Sequence, residues 1–299
     1  MVGNFLIDKP KRFFYSGSMI KRILLIGFIC AQLFNCDSKK NQYPEQFKVQ
    51  LLCYVGAICP TQRGVKYGIL GDSWTDLALG VPLIESLRVQ LEKNYNYKMV
   101  GSTLAGQTLS TIYKTGTYTR VIDEAGPDIK YMLLSLGGND IQGNPARYVG
   151  RFAAEKQERF SLLQSNLLNM IRMGNAYKVQ KYGGAPLLWI IHGYDFPNPD
   201  VPSRPESTGC RSTLRTAGFT DAEITALVVD GLSDYNNLLR DITTREPQLR
   251  YIDLRATLGG PPASAAGNMW DCIHPNTGGF SLLAKKYVSA LEGYTNYEK

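Results

Sequence analysis

Three residues that could together perform acyl transfer lie far apart in this 299-residue chain. Ser73 follows a Gly-Asp dipeptide after the apolar run 67–70, so we expect its hydroxyl on a tight turn at a strand end. Asp271 precedes His274, one of only two histidines, by three residues. A serine hydroxyl is a weak nucleophile until a base takes its proton, and a histidine oriented by a carboxylate is such a base. These residues predict a serine esterase.

Each of these signals also has an ordinary structural explanation. Aspartate and serine are common turn and helix-capping residues, and the nucleophile elbow G-x-S-x-G is absent. A D-x-x-H pair is equally typical of a surface contact. His192, which ends the apolar run 187–191, is a rival base, although its position is more typical of a pocket-lining or core histidine.

Acyl transfer also needs hydrogen-bond donors for the negative charge that develops on the carbonyl oxygen. Asn139 lies in a Gly-Gly-Asn-Asp turn sequence after the apolar run 131–136 and could supply its side-chain amide. Gly106 could supply a backbone N–H that no side chain obstructs. Both segments are otherwise plain turn sequences.

Taken in order, these segments resemble the SGNH/GDSL hydrolase family, whose four sequence blocks carry a serine, a glycine, an asparagine and a histidine. The matching residues, within about residues 66 to 292, are Gly71-Asp72-Ser73, Gly106, Gly137-Gly138-Asn139-Asp140 and Asp271-Cys272-Ile273-His274. Two features depart from the family pattern. Trp74 and Thr75 replace the usual residues after the serine, and the Gly106 block lacks an asparagine often found upstream.

The resemblance implies a role for each matching residue. Ser73 would be the nucleophile, His274 the base and Asp271 its partner. The oxyanion hole would consist of the Ser73 and Gly106 backbone N–H groups and the Asn139 side chain. No metal and no organic cofactor would be needed.

The substrate implied is an acyl ester of a small molecule, a glycan or a lipid. Aromatic side chains suit stacking on sugar rings or contact with an acyl chain, and the candidates for substrate contact are Trp74, His192, Tyr194 and Trp270. The many short loops, without an amphipathic lid, favour a short acyl group. Two alternatives stay open: an O-acyltransferase on the same fold, and a surface lipoprotein that binds a glycan or host ligand without catalysis.

The elements that must position these residues follow an alternating pattern. Strands are predicted at 67–70, 98–100, 131–136, 187–192 and 250–253, and helices at 77–91, 159–173, 221–242 and 278–291. This alternation predicts a doubly wound α/β fold. The resemblance implies a three-layer α/β/α sandwich with a five-stranded parallel sheet, similar to flavodoxin. Ligands bind beyond the carboxyl ends of such strands, where Ser73, Asn139 and His192 fall. The proline-rich segment 195–218 predicts a surface loop on that side.

The N-terminal region predicts export. From Met19 the chain carries two basic residues, an apolar stretch at 23–34 and then Cys36, which is typical of a signal peptide too short to span a bilayer. Residues 33–36 resemble a bacterial lipobox, although Phe34 and Asn35 are larger than usual. We therefore expect a signal peptide over 1–36 (with 1–18 before the natural start), a tether and extension over 37–64, and the hydrolase domain over 65–299.

A lipid on Cys36 would anchor the protein to a membrane on its periplasmic or cell-surface side; an ordinary signal peptide and a secreted protein are the alternative.

Of the net charge of +7, the first 35 residues hold +4, from five basic residues and one aspartate. The rest forms no basic stripe with interleaved aromatics, so we expect no nucleic-acid partner. We expect a monomer.

Export would leave four cysteines in an oxidising compartment, where an even number favours disulfides. Of the three possible connectivities, we favour Cys53–Cys59, which closes a local loop, together with Cys210–Cys272. A zinc site is disfavoured because the chain has no C-x-x-C pair and only two histidines.

Overall fold

A parallel sheet carries the fold in the computed structural model, which describes residues 64–76, 84–202 and 209–299. The strand order is β2-β1-β3-β4-β5. The strands are β1 (Tyr67–Gly71), β2 (Met99–Thr103), β3 (Tyr131–Ser135), β4 (Leu188–His192) and β5 (Leu249–Ile252). In the centre, Tyr67 is in register with Met99 on one side and Tyr131 on the other. The predicted α/β fold class with a five-stranded parallel sheet is confirmed.

Helices cover both faces of this sheet. The described α-helices are α1 (Leu87–Tyr95), α2 (Leu109–Thr115), α3 (Thr117–Ala125), α4 (Gly138–Gln142), α5 (Phe152–Tyr182), α6 (Gly209–Thr216), α7 (Asp221–Ala226), α8 (Leu232–Thr243) and α9 (Thr277–Thr295). One π-helical turn, Leu227–Gly231, joins α7 to α8.

Alternation along β4 shows how the layers are arranged. The Trp189 ring lies where a side chain on Gly174 of α5 would fall, whereas His192 packs edge-on against Tyr287 of α9. Residues an odd number of positions apart on a strand point to opposite faces, so α5 and α9 lie on opposite sides of the sheet. Every residue of β1, β2 and β3 is buried, as expected of strands covered on both faces.

The helices differ from the sequence expectation in several places. Helix α5 extends well beyond the predicted 159–173, and α2 and α3 occupy a segment for which no helix was predicted. They are short and meet at Gly116, whose φ of +66° breaks the helical path. Of the predicted helix 77–91, only the part from Leu87 is helical among the described residues, because the backbone of Ser86 is extended.

The predicted surface loop 195–218 contains helix α6, so that part of the prediction is wrong. A disulfide holds α6 at Cys210, and its Leu214 packs beside a small core of Tyr148, Phe219 and Ile224. Both contacts are tertiary, and the proline and serine content of the segment gives no sign of them.

The predicted signal peptide, the lipidation site at Cys36, the tether and the pair Cys53–Cys59 lie outside the described residues. Within the described ranges, no helix combines the length and apolar character needed to cross a bilayer.

Candidate active site

Ser73 lies in a turn that its neighbours fix tightly at the end of β1. The Asp72 N–H donates to the Ser135 carbonyl (3.0 Å), which ties the turn to β3. The Asp72 carboxylate accepts the Trp74 N–H (3.0 Å), and the Asp72 carbonyl accepts the Thr75 hydroxyl (2.9 Å). Gly71 is required before this turn, because a Cβ there would fall 1.7 Å from Thr75 Oγ1. The turn therefore holds the Ser73 hydroxyl at the carboxyl edge of the sheet.

Two hydrogen bonds join Ser73 to a histidine and an aspartate from the other end of the chain. His274 Nε2 lies 2.7 Å from Ser73 Oγ, and His274 Nδ1 lies 2.7 Å from Asp271 Oδ2. The other carboxylate oxygen of Asp271 accepts the backbone N–H groups of Ile273 (2.8 Å) and His274 (2.6 Å). This geometry can transfer a proton from the hydroxyl to the imidazole.

The loop that carries His274 is anchored on both sides of the imidazole. The Trp74 indole N–H donates to the Ile273 carbonyl (3.0 Å), which links this loop to the serine turn. The Trp270 N–H donates to the His274 carbonyl (2.9 Å), and Asn276 caps α9 by accepting the Gly279 N–H (2.9 Å). The histidine is thus fixed before substrate binds.

The carboxylate of Asp271 stays ionised in this setting. Burial alone would raise its pKa, but the hydrogen bond and charge of His274, together with the two backbone N–H donors, outweigh it and hold the pKa below its ordinary value. A fixed negative charge at this position can stabilise a protonated imidazole at His274.

Asn139 and Gly106 lie on adjacent turns. Asn139 lies in the first turn of α4, and its Nδ2 donates to the Gln107 carbonyl (2.9 Å). Asp140 accepts the first N–H groups of α2, from Leu109 (2.7 Å) and Ser110 (3.0 Å). Residues of the asparagine block therefore hold the Gly106 turn in place.

The backbone N–H groups of Ser73 and Gly106 have no protein acceptor among the described residues. Gly106 is exposed with a φ of +78°, and a Cβ there would meet no atom within 4 Å. These two N–H groups and the second hydrogen of the Asn139 amide are not engaged by the described part of the protein.

The four candidates for substrate contact divide into three groups. Trp74 and Tyr194 line a cavity of about 280 Å³. Trp270 is half-buried beside the base, its ring centroid 6.5 Å from that of His274.

His192 is the fourth candidate, and its prediction is wrong. It is 1 % exposed beneath Trp74 and Tyr194, and it does not line the cavity. The alternation of β4 turns its ring toward α9 rather than outward from the sheet edge. Burial lowers its pKa to about 4 despite a contact from Nδ1 to the Gly193 carbonyl (2.8 Å), so it is a neutral core residue.

Sequence reasoning missed two features of the site. The cavity walls come from α6, which was predicted as part of a loop on the active-site side that could form a substrate wall, and from the π-helical turn and α8, which lie within the predicted helix 221–242 and were given no role at the site. The Tyr194 hydroxyl donates to Asp72, 122 positions away along the chain, which no local pattern reveals. Burial, only partly offset by this hydrogen bond, raises the pKa of Asp72 to about 6.

A disulfide joins Cys210 of α6 to Cys272, within the loop between Asp271 and His274. This is one of the two pairs that the cysteine pattern favoured, and it links the cavity wall directly to the loop that carries Asp271 and His274. No group of three or more His, Cys, Asp or Glu side chains able to hold a metal is present in the described part of the chain.

The chain belongs to the GDSL-like lipase/acylhydrolase family, whose model matches residues 61–287. It is therefore a hydrolase of carboxylic esters. No curated protein matches the chain.

Solved structures share the fold at low sequence identity. The lipase Lip_vut3 from a goat rumen metagenome is 19% identical, with 76% of this chain and 97% of that one covered and a TM-score of 0.51. A GDSL-like lipase from Bacteroides thetaiotaomicron is 14% identical, with 84% of this chain and 100% of that one covered and a TM-score of 0.50.

Proposed function

We propose that this protein hydrolyses esters through an acyl-enzyme on Ser73, with His274 as base and Asp271 as its orienting carboxylate. The observation that carries the proposal is the continuous pair of 2.7 Å hydrogen bonds from Ser73 Oγ through the imidazole to Asp271. Three chemically matched groups from distant parts of the chain meet there in the order that acyl transfer requires.

In the first step, the Ser73 oxygen attacks the ester carbonyl carbon while His274 Nε2 takes its proton. Asp271 holds the Nδ1–H and stabilises the imidazolium. The tetrahedral intermediate collapses, the C–O bond to the alcohol breaks, and His274 returns the proton to the leaving oxygen. Water then attacks the acyl-enzyme by the same proton path and releases the acid, which regenerates Ser73.

The oxyanion of each tetrahedral intermediate would be bound by the N–H groups of Ser73 and Gly106 and by Asn139 Nδ2. Their availability supports this assignment, because a donor already engaged by protein could not respond to the developing charge. Loss of one such donor typically lowers kcat by about 10²–10³-fold.

The test is hydrolysis of p-nitrophenyl butanoate by wild type, Ser73→Ala and Ser102→Ala. Ser102 is a matched control, because it lies near the end of the neighbouring strand β2 and is 8 % exposed, as Ser73 is. We expect Ser73→Ala to lose about 10⁴-fold or more of kcat with its melting temperature unchanged, and Ser102→Ala to stay active. Full activity in Ser73→Ala would overturn the proposal.

We also propose that the protein is exported and anchored through a lipid on Cys36. The basic and apolar leader ending at Cys36 supports this, as does the Cys210–Cys272 disulfide, since such bonds persist in oxidising compartments. Mass spectrometry of the mature N-terminus from the native host would detect a diacylglyceryl cysteine at position 36. An unmodified N-terminus beyond Cys36 would contradict the anchor.

A further inference from the structure

The cavity of about 280 Å³ is lined by direct chain neighbours of the site residues, although Ser73, Asn139 and His274 do not line it themselves. Its lining includes Trp74, Gly138 and Ile273, which are the chain neighbours of Ser73, Asn139 and His274. Consecutive Cα atoms are about 3.8 Å apart, so three lining residues have their backbones directly beside those of the nucleophile, the base and the oxyanion donor.

The wall of this cavity is apolar. Helix α6, the π-helical turn and α8 contribute Leu214, Val228 and Leu232, and α4 contributes Ile141. A π-helical turn inside a helix often marks a functional site, and here it faces the cavity. An apolar wall favours an apolar ligand because burial of its surface removes that surface from water.

Most polar side chains of the lining are already engaged by protein, whereas those of Gln142 and Thr213 have no hydrogen-bond partner among the described residues. The Tyr148 hydroxyl donates to the Ile141 carbonyl (2.9 Å), that of Tyr235 donates to the Leu136 carbonyl (2.7 Å), and that of Tyr194 donates to Asp72. The rings therefore line the cavity while their hydroxyls point to fixed partners.

Asp195 is engaged in the same way. One of its oxygens accepts the N–H groups of Phe196 (2.8 Å) and Ala256 (2.7 Å), and the other accepts that of Leu258 (2.7 Å). A sugar in this cavity would leave most of its hydroxyls without partners, which disfavours it.

We propose that this cavity binds the acyl group of the substrate, and that the preferred ester carries an apolar acyl chain of medium length rather than acetyl. The inference rests on the proposed acyl-enzyme at Ser73. An apolar cavity of about 150 Å³ holds one benzene ring, so 280 Å³ accommodates an acyl chain of roughly eight carbons. This differs from the short acyl group that the loop pattern favours.

A chemical argument favours the acyl side of the ester over the alcohol side as the occupant of the cavity. The alcohol leaves after the first step, whereas the acyl group stays on Ser73 until water attacks. Contacts with the acyl chain are therefore kept through both transition states and can lower both barriers.

The experiment compares two series of esters. In the first, p-nitrophenyl esters from acetate to decanoate vary only the acyl chain; in the second, acetate esters of ethanol to octanol vary only the alcohol. We expect kcat/KM to rise about fourfold per added CH₂ of the acyl chain, up to roughly eight carbons, and to change little along the alcohol series. A flat acyl series with a steep alcohol series would overturn the assignment.

Variants of the wall locate the effect. Val228→Phe fills the cavity, and we expect it to lower the octanoate-to-acetate ratio of kcat/KM by at least about tenfold. Leu214→Ala enlarges the cavity and should shift the optimum to longer chains. Val179→Phe is the matched control, because Val179 is 41 % exposed on α5 and lies outside the cavity. An unchanged ratio in both wall variants would overturn the proposal.

Measurement of carboxylate binding distinguishes a failure of this inference from a failure of the proposed function. Calorimetry with Ser73→Ala protein measures octanoate and acetate without turnover. We expect octanoate to bind, acetate to bind far more weakly, and Val228→Phe to weaken octanoate alone. If no ester is hydrolysed but octanoate binds in this way, the proposed function fails, whereas the cavity is still a site for an apolar chain; equal binding of the two acids would overturn the cavity assignment itself.

Discussion

The reactivity that we assign to Ser73 comes from partners, not from the serine itself. The imidazole of His274 lies within 2.7 Å of the hydroxyl, and Asp271 fixes which ring nitrogen carries the proton. Trp74 ties the two segments together through its indole N–H. The site is therefore assembled before substrate arrives, which avoids reorganisation during the reaction.

Replacement of Asp271 by asparagine should lower kcat by about 10⁴-fold, because an amide holds the imidazole in the wrong tautomer and cannot stabilise the imidazolium. The measurement is the kinetics of p-nitrophenyl ester hydrolysis with the folded variant. Asp221→Asn is a control, since that carboxylate pairs with Arg215 on the surface. A loss confined to KM would contradict the role assigned to Asp271.

At the residue scale, the sequence was informative where local chemistry decides position. The Gly-Asp-Ser and Gly-Gly-Asn-Asp segments were expected at one edge because each follows a strand, and β1 and β3 are indeed adjacent. The Asp-x-x-His segment was joined to Ser73 by the chemistry of a triad, and His274 lies 2.7 Å from Ser73 Oγ. The prediction for His192 was wrong because the alternation of side chains along β4 directs its ring toward α9, where it packs against Tyr287. The Tyr194–Asp72 contact could not be predicted, since it joins residues far apart in sequence.

At the scale of elements, glycines set the path from strands into site turns. Gly137 connects β3 to α4 with a φ of +107°, and a Cβ there would fall 2.6 Å from the Tyr235 hydroxyl oxygen. An L side chain rarely adopts this conformation, so the residue fixes how α4 presents Asn139.

Gly137→Ala should lower the free energy of unfolding by about 2–4 kcal/mol, from backbone strain together with overpacking against Tyr235. Urea unfolding measures the change. Gly267→Ala is the matched control, because a Cβ at this position would meet no atom within 4 Å and its φ lies outside the positive range. Equal stability of the two variants would refute this account of the turn.

The Cys210–Cys272 disulfide couples two elements, the cavity helix α6 and the catalytic loop. With a sequence separation of 62, its loss should cost about 4 kcal/mol of unfolding free energy in the chain-entropy description. The double variant Cys210→Ser, Cys272→Ser should also hydrolyse esters more slowly, because its His274 loop is less fixed. Calorimetric unfolding and ester kinetics check both effects; unchanged stability and rate would show that the bond constrains neither element.

The strands were predictable to within about three residues because buried parallel strands are short apolar runs. The helices were less so. Segments α2 and α3 lack long apolar periodicity, and α6 is held by a disulfide and by Leu214, both of which depend on residues distant in sequence.

For the whole molecule, two buried titratable groups act on stability in opposite directions. Burial raises the pKa of Asp72 from 3.8 to about 6. The contribution of this group to the free energy of unfolding is therefore present below pH 3.8 and is lost as the pH rises through 6. Burial lowers the pKa of His192 from 6.5 to about 4, so its contribution is present above 6.5 and is lost as the pH falls through 4. The two groups therefore oppose each other in the wild type.

Single variants should reveal how each group makes the free energy of unfolding depend on pH. As the pH rises from 4 to 6, the free energy of unfolding of Asp72→Asn should rise relative to that of wild type, and that of His192→Asn should fall, by up to about 3 kcal/mol each. Urea unfolding at pH 4, 5, 6 and 7 measures the differences, and comparison with wild type removes the contributions of other groups. Slopes of the same sign would contradict this account.

The central claim is that Ser73 is an activated nucleophile, and a fluorophosphonate tests it without knowledge of the substrate. The measurement is the intact mass of the folded protein after treatment, with the adduct located by peptide mapping. We predict one adduct per chain, on Ser73, and none after His274→Ala. A folded wild-type protein that forms no adduct, or an adduct on another serine, would contradict the mechanism.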